Sequence, residues 1–144
     1  MVKNQKKIAL AILVSEITGH GCKLWMQKRE EAGPLSGMLE FPGGKIENGE
    51  TPLQAALREA DEESHGLLID LQGRKTISLG SFAYDYDDRS VELFAVVFMA
   101  DGVHEEHPHW HYWSFSSWKE KYGEHLLAAN FQVLEELFKR IATF

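Results

Sequence analysis

The sequence predicts an α+β fold, a mixed sheet layered between helices as an α-β-α sandwich, with one helix crowded with glutamates. Three observations lead to this class. Residues 7–14, KIALAILV, form a nearly continuous apolar run of strand length, as a buried strand does. Two alternating segments, 75–86 and 89–99, flank Asp87-Asp88 and read as a β-hairpin. Segments 51–66 and 125–143 carry apolar residues at steps of three and four, the period of an amphipathic helix. Strands and helices alternate without a strict βαβ order, which places the chain among α+β folds.

The elements follow in chain order. After the first strand, EITGHGC (16–22) reads as a turn and KLWMQKR (23–29) as the returning strand. A loop rich in Gly and Pro, EAGPLSG (31–37), leads into MLEFPGG (38–44). The strongest helix signal comes next: Thr51 is a good N-cap, Pro52 suits the first helical position, and Gln54 completes a capping box. Leu53, Ala56, Leu57 and Ala60 then define one buried face, and Gly66 ends the helix. Beyond the hairpin, HWHYWSF (109–115) reads as another short strand. From His125 to Thr143, Leu127, Phe131, Leu134, Phe138 and Ile141 form the apolar stripe of a helix packed on a sheet.

Composition narrows the function classes. The 144 residues fit one domain, 1–144, and 44% of them are apolar, enough for a sizeable core. No apolar run approaches the roughly 18 residues a membrane span needs. The N-terminal run, Ile8 to Val14, is near the minimum for a secretion signal, and no A-x-A-like cleavage site follows. Cys22 is the only cysteine, so no intrachain disulfide can form and the cytoplasm is the expected compartment. The net charge of −7 argues against a long nucleic acid held along a basic groove. It leaves phosphate ligands open, because bound divalent cations reverse the local sign.

Within residues 43–67, Glu47, Glu50, Glu59, Asp61, Glu62 and Glu63 crowd six carboxylates into one short stretch. Like charges three and four apart on a helix repel by a few tenths of a kcal/mol each. At 100° per residue, Glu59, Glu62 and Glu63 share one sector, opposite Leu53, Leu57 and Ala60. A solvated acidic face is the ordinary account of such a run. Two features point further. The preceding loop, FPGGKIENGE, is rich in glycine and carries Glu50. Arg58 sits inside the acidic run, four residues before Glu62, placed for an ion pair or for reaching back to the loop carboxylate. Hard cations such as Mg²⁺ take oxygen ligands and bridge carboxylates to phosphates.

Gly44, Glu50, Arg58, Glu59, Ala60, Glu62 and Glu63 fit the pattern G-x5-E-x7-R-E-U-x-E-E-x-G-U, where U is aliphatic. In this the chain resembles the Nudix hydrolases. It departs from the pattern at the helix exit, with His65 and Gly66 where the family has Gly and an aliphatic residue. The resemblance implies hydrolysis of a nucleoside diphosphate linked to another group, with Mg²⁺ or Mn²⁺ as cofactor. It implies Glu59, Glu62, Glu63 and the Gly43 carbonyl as metal ligands. Glu50 and Arg58 would complete the site, and Lys45 would touch the pyrophosphate. Metal ions screen phosphate charge, orient the substrate and acidify water. Which carboxylate takes the proton stays open.

Weaker likeness extends to the MutT-like branch, which cleaves (d)NTPs to the monophosphate and pyrophosphate. LEFPGGKIENGETP is very like that group's loop, and FAYDYDDRSVELFAVVF lies where it has an aromatic strand pair beside a base pocket. On that likeness Asn130 would read a purine edge, against a plain reading as an N-cap or surface amide. Phe41 and Phe82 are candidate pocket walls, or simply core. Nucleotide sugars, ADP-ribose and RNA 5′ ends are the alternative substrates, although residues 67–90 lack the proline usual beyond the box in ADP-ribose enzymes. A non-catalytic nucleotide-binding module is the alternative of another class. The expected partner is a small nucleotide, and the chain itself a monomer or homodimer.

HEEHPHWHYWSFSSW (104–118) is the other unusual stretch. His107, His109 and His111 alternate, so a transition-metal site is conceivable on one strand face, but Pro108 interrupts the run. Many Nudix chains have a loop glutamate here that reaches the metal site. The resemblance implies Glu106, or less readily Glu105, for that part. Trp110, Tyr112 and Trp113 would pack at the sheet edge or under a substrate loop.

Overall fold

The computed structural model describes residues 5–30, 32–33, 36–87 and 89–144. Asp88 of the expected turn, and Glu31, Pro34 and Leu35 of the expected loop, lie outside the described residues.

The apolar run near the N-terminus becomes β1 (Gln5–Ser15), the strand on which the sheet is built. Its last residues are buried without interruption because both of its faces are covered. Ala9, Ala11 and Leu13 point into one apolar cluster; Leu10, Ile12 and Val14 point into the other. Around it stand β2 (Gly21–Trp25), β5 (Gly43–Lys45), β6 (Thr76–Asp85), β7 (Ser90–Met99) and β8 (Trp110–Ser114). The order is β6-β7-β1-β2-β8, with β5 also paired to β1. β1 runs parallel to β7 from Gln5↔Ser90 to Val14↔Met99, and the other pairings are antiparallel, so the sheet is mixed. The short ribbon β3 (Gln27–Lys28) and β4 (Leu39–Glu40) stands apart from it.

Helix α1 (Pro52–Glu63) covers one face of the sheet through Ala55, Ala56 and Ala60, set against Ala9 and Ala11. Small residues on both sides let helix and sheet approach closely. Helix α3 (Ala128–Arg140) covers the other face through Val133, Leu134 and Leu137. A short helix, α2 (Trp118–Tyr122), precedes it. The layers are helix, sheet, helix, as expected from the sequence.

Several local expectations are corrected. α1 ends at Glu63 with Ser64 as its C-cap, three residues before Gly66. His65 already holds φ +54°, so the backbone takes a left-handed turn where the box has glycine, and no extra helical residue is added. Leu53 is 38% exposed, because the sheet accepts the alanine stripe instead. α3 starts at Ala128, not His125, and turns Phe131 and Phe138 toward the flank, where they meet Trp118 and Trp113. The returning strand breaks at Met26 into β2 and β3. β8 begins at Trp110, so of the three alternating histidines only His111 lies on a strand. At that edge Trp113 is fully buried and Tyr112 is 47% exposed.

Candidate active site

The geometry of the acidic helix starts from its cap. Thr51 Oγ1 accepts from the Gln54 N–H at 3.1 Å, and Gln54 Oε1 accepts from the Thr51 N–H at 2.9 Å. This reciprocal pair is the expected capping box. It fixes the loop 46–50 over the first turns of α1.

Arg58 organises three carboxylates. Its Nε and Nη2 donate to the two oxygens of Glu50, at 2.8 and 2.9 Å. Nη1 donates to Glu59 at 2.9 Å and, more weakly, to Glu62 at 3.4 Å, while Nη2 also reaches the Lys45 carbonyl at 3.0 Å. A guanidinium fork against a carboxylate is a strong, directional contact. It holds the Glu50 carboxyl down at about 2, helped by a hydrogen bond from the Glu47 N–H, and raises Arg58 in return. The expectation that Arg58 would pair with Glu62 or reach back to Glu50 is met on both counts.

Glu63 is placed differently. Its Oε2 accepts from the Gly43 N–H at 3.2 Å and from Gln27 Nε2 at 3.1 Å. Loss of hydration at the carboxylate pushes it up to about 7, with the charges of Glu59 and Glu40 adding and the two hydrogen bonds opposing. The residue as a whole is exposed, so the effect belongs to the head group lying against β5. The glycines make this proximity possible. A side chain at Gly44 would overlap the Glu59 carboxylate, and one at Gly43 would overlap the Ala9 carbonyl. Gly43 thus meets Glu63 through its N–H.

Beside Glu63 opens a cavity of about 310 Å³. Phe41 and Asn130, both expected at a substrate pocket, line it together with Gly43 and Gly44. Asn130 is the third residue of α3, neither an N-cap nor a surface amide, and is only 4% exposed. Phe82, the cross-strand partner of Leu93, is partly buried against the core and does not line this cavity. Lys45 is exposed and touches the site only through its carbonyl. Glu106 is exposed on the loop between β7 and β8 and lines no described cavity with the glutamates; the charge it acts on is Lys23. Arg29, Tyr86 and Arg89 line the cavity without any signal in the sequence beyond the aromatic hairpin that carries two of them. The Arg89 guanidinium lies 4.7 Å over the Tyr86 ring.

Among the described residues no three His, Cys, Asp or Glu side chains stand close enough to grip an ion as they are. This applies to the alternating histidines as well. Hard carboxylate oxygens nonetheless suit a hard divalent cation in chemistry, and Glu63 is held with its negative charge under-compensated.

A mixed sheet between two helices, with a capped acidic helix facing a glycine loop and a cavity beside Glu63, defines a small α+β domain with an acidic site. The NUDIX domain profile matches residues 5–137, and the chain belongs to that family. It is 33% identical over 85 residues to an 8-oxo-dGTP diphosphatase of Escherichia coli (strain K12), covering 59% of this chain and 62% of that protein. It is 46% identical over 72 residues to an 8-oxo-dGTP diphosphatase of Haemophilus influenzae (strain ATCC 51907 / DSM 11121 / KW20 / Rd), covering 50% and 49%. The chain thus spans about half to three-fifths of these relatives' length. In three dimensions it is similar to a mutT/nudix family protein from Listeria innocua, with a TM-score of 0.67 at 20% identity, over 96% of this chain and 94% of that one.

Proposed function

We propose that this single Nudix domain, residues 1–144, is a pyrophosphohydrolase that cleaves a (d)NTP, or an oxidised purine NTP, to the monophosphate and pyrophosphate. The observation that carries this reading is the meeting of Glu63 with the Gly43 N–H at the mouth of the cavity holding Phe41 and Asn130. Reactive carboxylates and a nucleoside-sized pocket are contiguous there. The sequence likeness to proteins named 8-oxo-dGTP diphosphatase supports the same substrate class.

Each residue has a physical task. Glu59, Glu62 and Glu63 would hold Mg²⁺ or Mn²⁺, which when bound screens the phosphate charge and acidifies water. Arg58 keeps Glu50 ionised and holds the Glu59 carboxylate beside Gly44. Phe41 walls the nucleoside cavity. The side-chain amide of Asn130 makes no hydrogen bond to a described residue and faces that cavity, so its donor and acceptor are available for a base edge. Arg29 and Arg89 bring positive charge to the same cavity, where phosphate oxygens would lie.

A panel of canonical and oxidised nucleotides, assayed with Mg²⁺ and with products identified, tests the reading. Release of a nucleoside monophosphate and pyrophosphate is expected. Tight nucleotide binding without turnover would leave a binding module in its place.

A further inference from the structure

A second cavity, of about 750 Å³, lies on the other side of Glu63. It shares Arg29, Glu40 and Glu63 with the nucleoside cavity, so the two meet along the β3–β4 ribbon. Resting on the reading above, we propose that this second cavity receives the far end of the substrate, the phosphates that leave as pyrophosphate. A linear molecule with its nucleoside against Phe41 and Asn130 and its scissile link at Glu63 has its other end directed here.

The lining has the chemistry for a polyanion. Lys28 and Gln27 come from β3, His65 from the exit of α1, His109 from the segment entering β8 and His111 from β8 itself. Lys28 forms no ion pair with a described residue, and its charge acts on His111. Amide, ammonium and imidazole N–H groups from three separate elements thus converge on one space. Glu30, Glu40 and Glu63 also border it, which favours a phosphate group accompanied by a divalent ion over a bare one.

A second nucleoside is the other group a cavity of this size could take. It would need a broad apolar ring to stack on, and among the described residues no Phe, Tyr or Trp lines the space. Trp25 is 1% exposed, sealed behind His107 and His109 at ring distances of 4.5 and 5.3 Å, and neither Trp25 nor Trp110 lines the cavity.

The test is calorimetric titration of the whole chain with pyrophosphate and, separately, with a deoxynucleoside monophosphate, both in Mg²⁺. Lys28→Ala and the double variant His109→Gln/His111→Gln should each weaken pyrophosphate binding by about tenfold, the scale of one lost charge-assisted contact. Monophosphate affinity should change by less than about twofold. Lys28 is exposed, so its variant folds even if the histidine pair is needed for packing. Unchanged pyrophosphate affinity or equal weakening of both ligands would each overturn the assignment. Because binding is read without turnover, an inactive wild type would count against the proposed hydrolysis and not against this site.

Discussion

Glu50 and Glu63 are chemically alike and belong to the same acidic loop and helix, yet their surroundings drive them in opposite directions. Arg58 forks onto Glu50 and holds it at about 2, below the ordinary 4.5. Its contribution to stability is therefore complete above about pH 4.5 and is lost as pH falls through about 2. Glu63, pushed up to about 7, works the other way. Its favourable state is fully present below 4.5 and is lost as pH rises through about 7. In chelator-treated protein, Glu63→Gln should melt higher than wild type at pH 8. The gain should be on the order of 1 kcal/mol, once solvent screening of an exposed side chain is discounted, and should vanish near pH 4.5. Glu50→Gln should melt lower at pH 7, because it leaves the Arg58 guanidinium poorly matched. Both should lose hydrolysis by orders of magnitude. A Glu63→Gln protein that melts below wild type at pH 8 would contradict the strained carboxylate.

At the scale of elements, the two ends of α1 show what local sequence determines and what it does not. The N-terminus depends on four consecutive residues, and Thr51, Pro52 and Gln54 are read directly from the chain. Thr51→Ala should cost about 1 kcal/mol, a drop of about 2–5 °C by calorimetry. The C-terminus is less legible because the backbone turns at His65, which lacks the freedom of a glycine at φ +54°. His65→Gly should relieve that conformation and stabilise the chain by about 1 kcal/mol; an unchanged melting temperature would mean that side-chain contacts offset the strain. The buried faces differ from the periodicity for a tertiary reason. Sheet alanines select Ala55, Ala56 and Ala60 over Leu53, and tryptophans from β8 and α2 draw Phe131 and Phe138 aside. The same division holds in the site. Glu50, Arg58, Glu59, Glu62 and Glu63 lie within 14 residues and were visible in the sequence. Arg29 arrives from just beyond β3, and Tyr86 and Arg89 from the connection between β6 and β7, and none carries a mark of its own in the sequence. Glu106 is implied only by the family resemblance, whereas the loop turns at His104, where φ is +44° and Nε2 lies 2.7 Å from the Leu67 carbonyl.

Over the whole molecule, whose net charge is −7, six of the 22 acidic residues lie within residues 43–67, where α1 meets the glycine loop. Arg58 is the one cation described inside that acidic group, and it is already divided among Glu50, Glu59 and Glu62. Further positive charge must therefore come from outside the cluster. If it comes as a specifically held divalent ion, stability rises by mass action, by about 2.7 kcal/mol at a free concentration 100 times Kd. For a chain of this length that amounts to roughly 6–12 °C. General screening of the negative surface would also raise the melting temperature, but sodium chloride at matched ionic strength reproduces that part. Wild type should thus melt several degrees higher in magnesium than in matched sodium, with Glu59→Gln and Glu62→Gln removing the difference while keeping the sodium response. Identical curves in the two salts would mean that the glutamates of α1 form only a solvated acidic face.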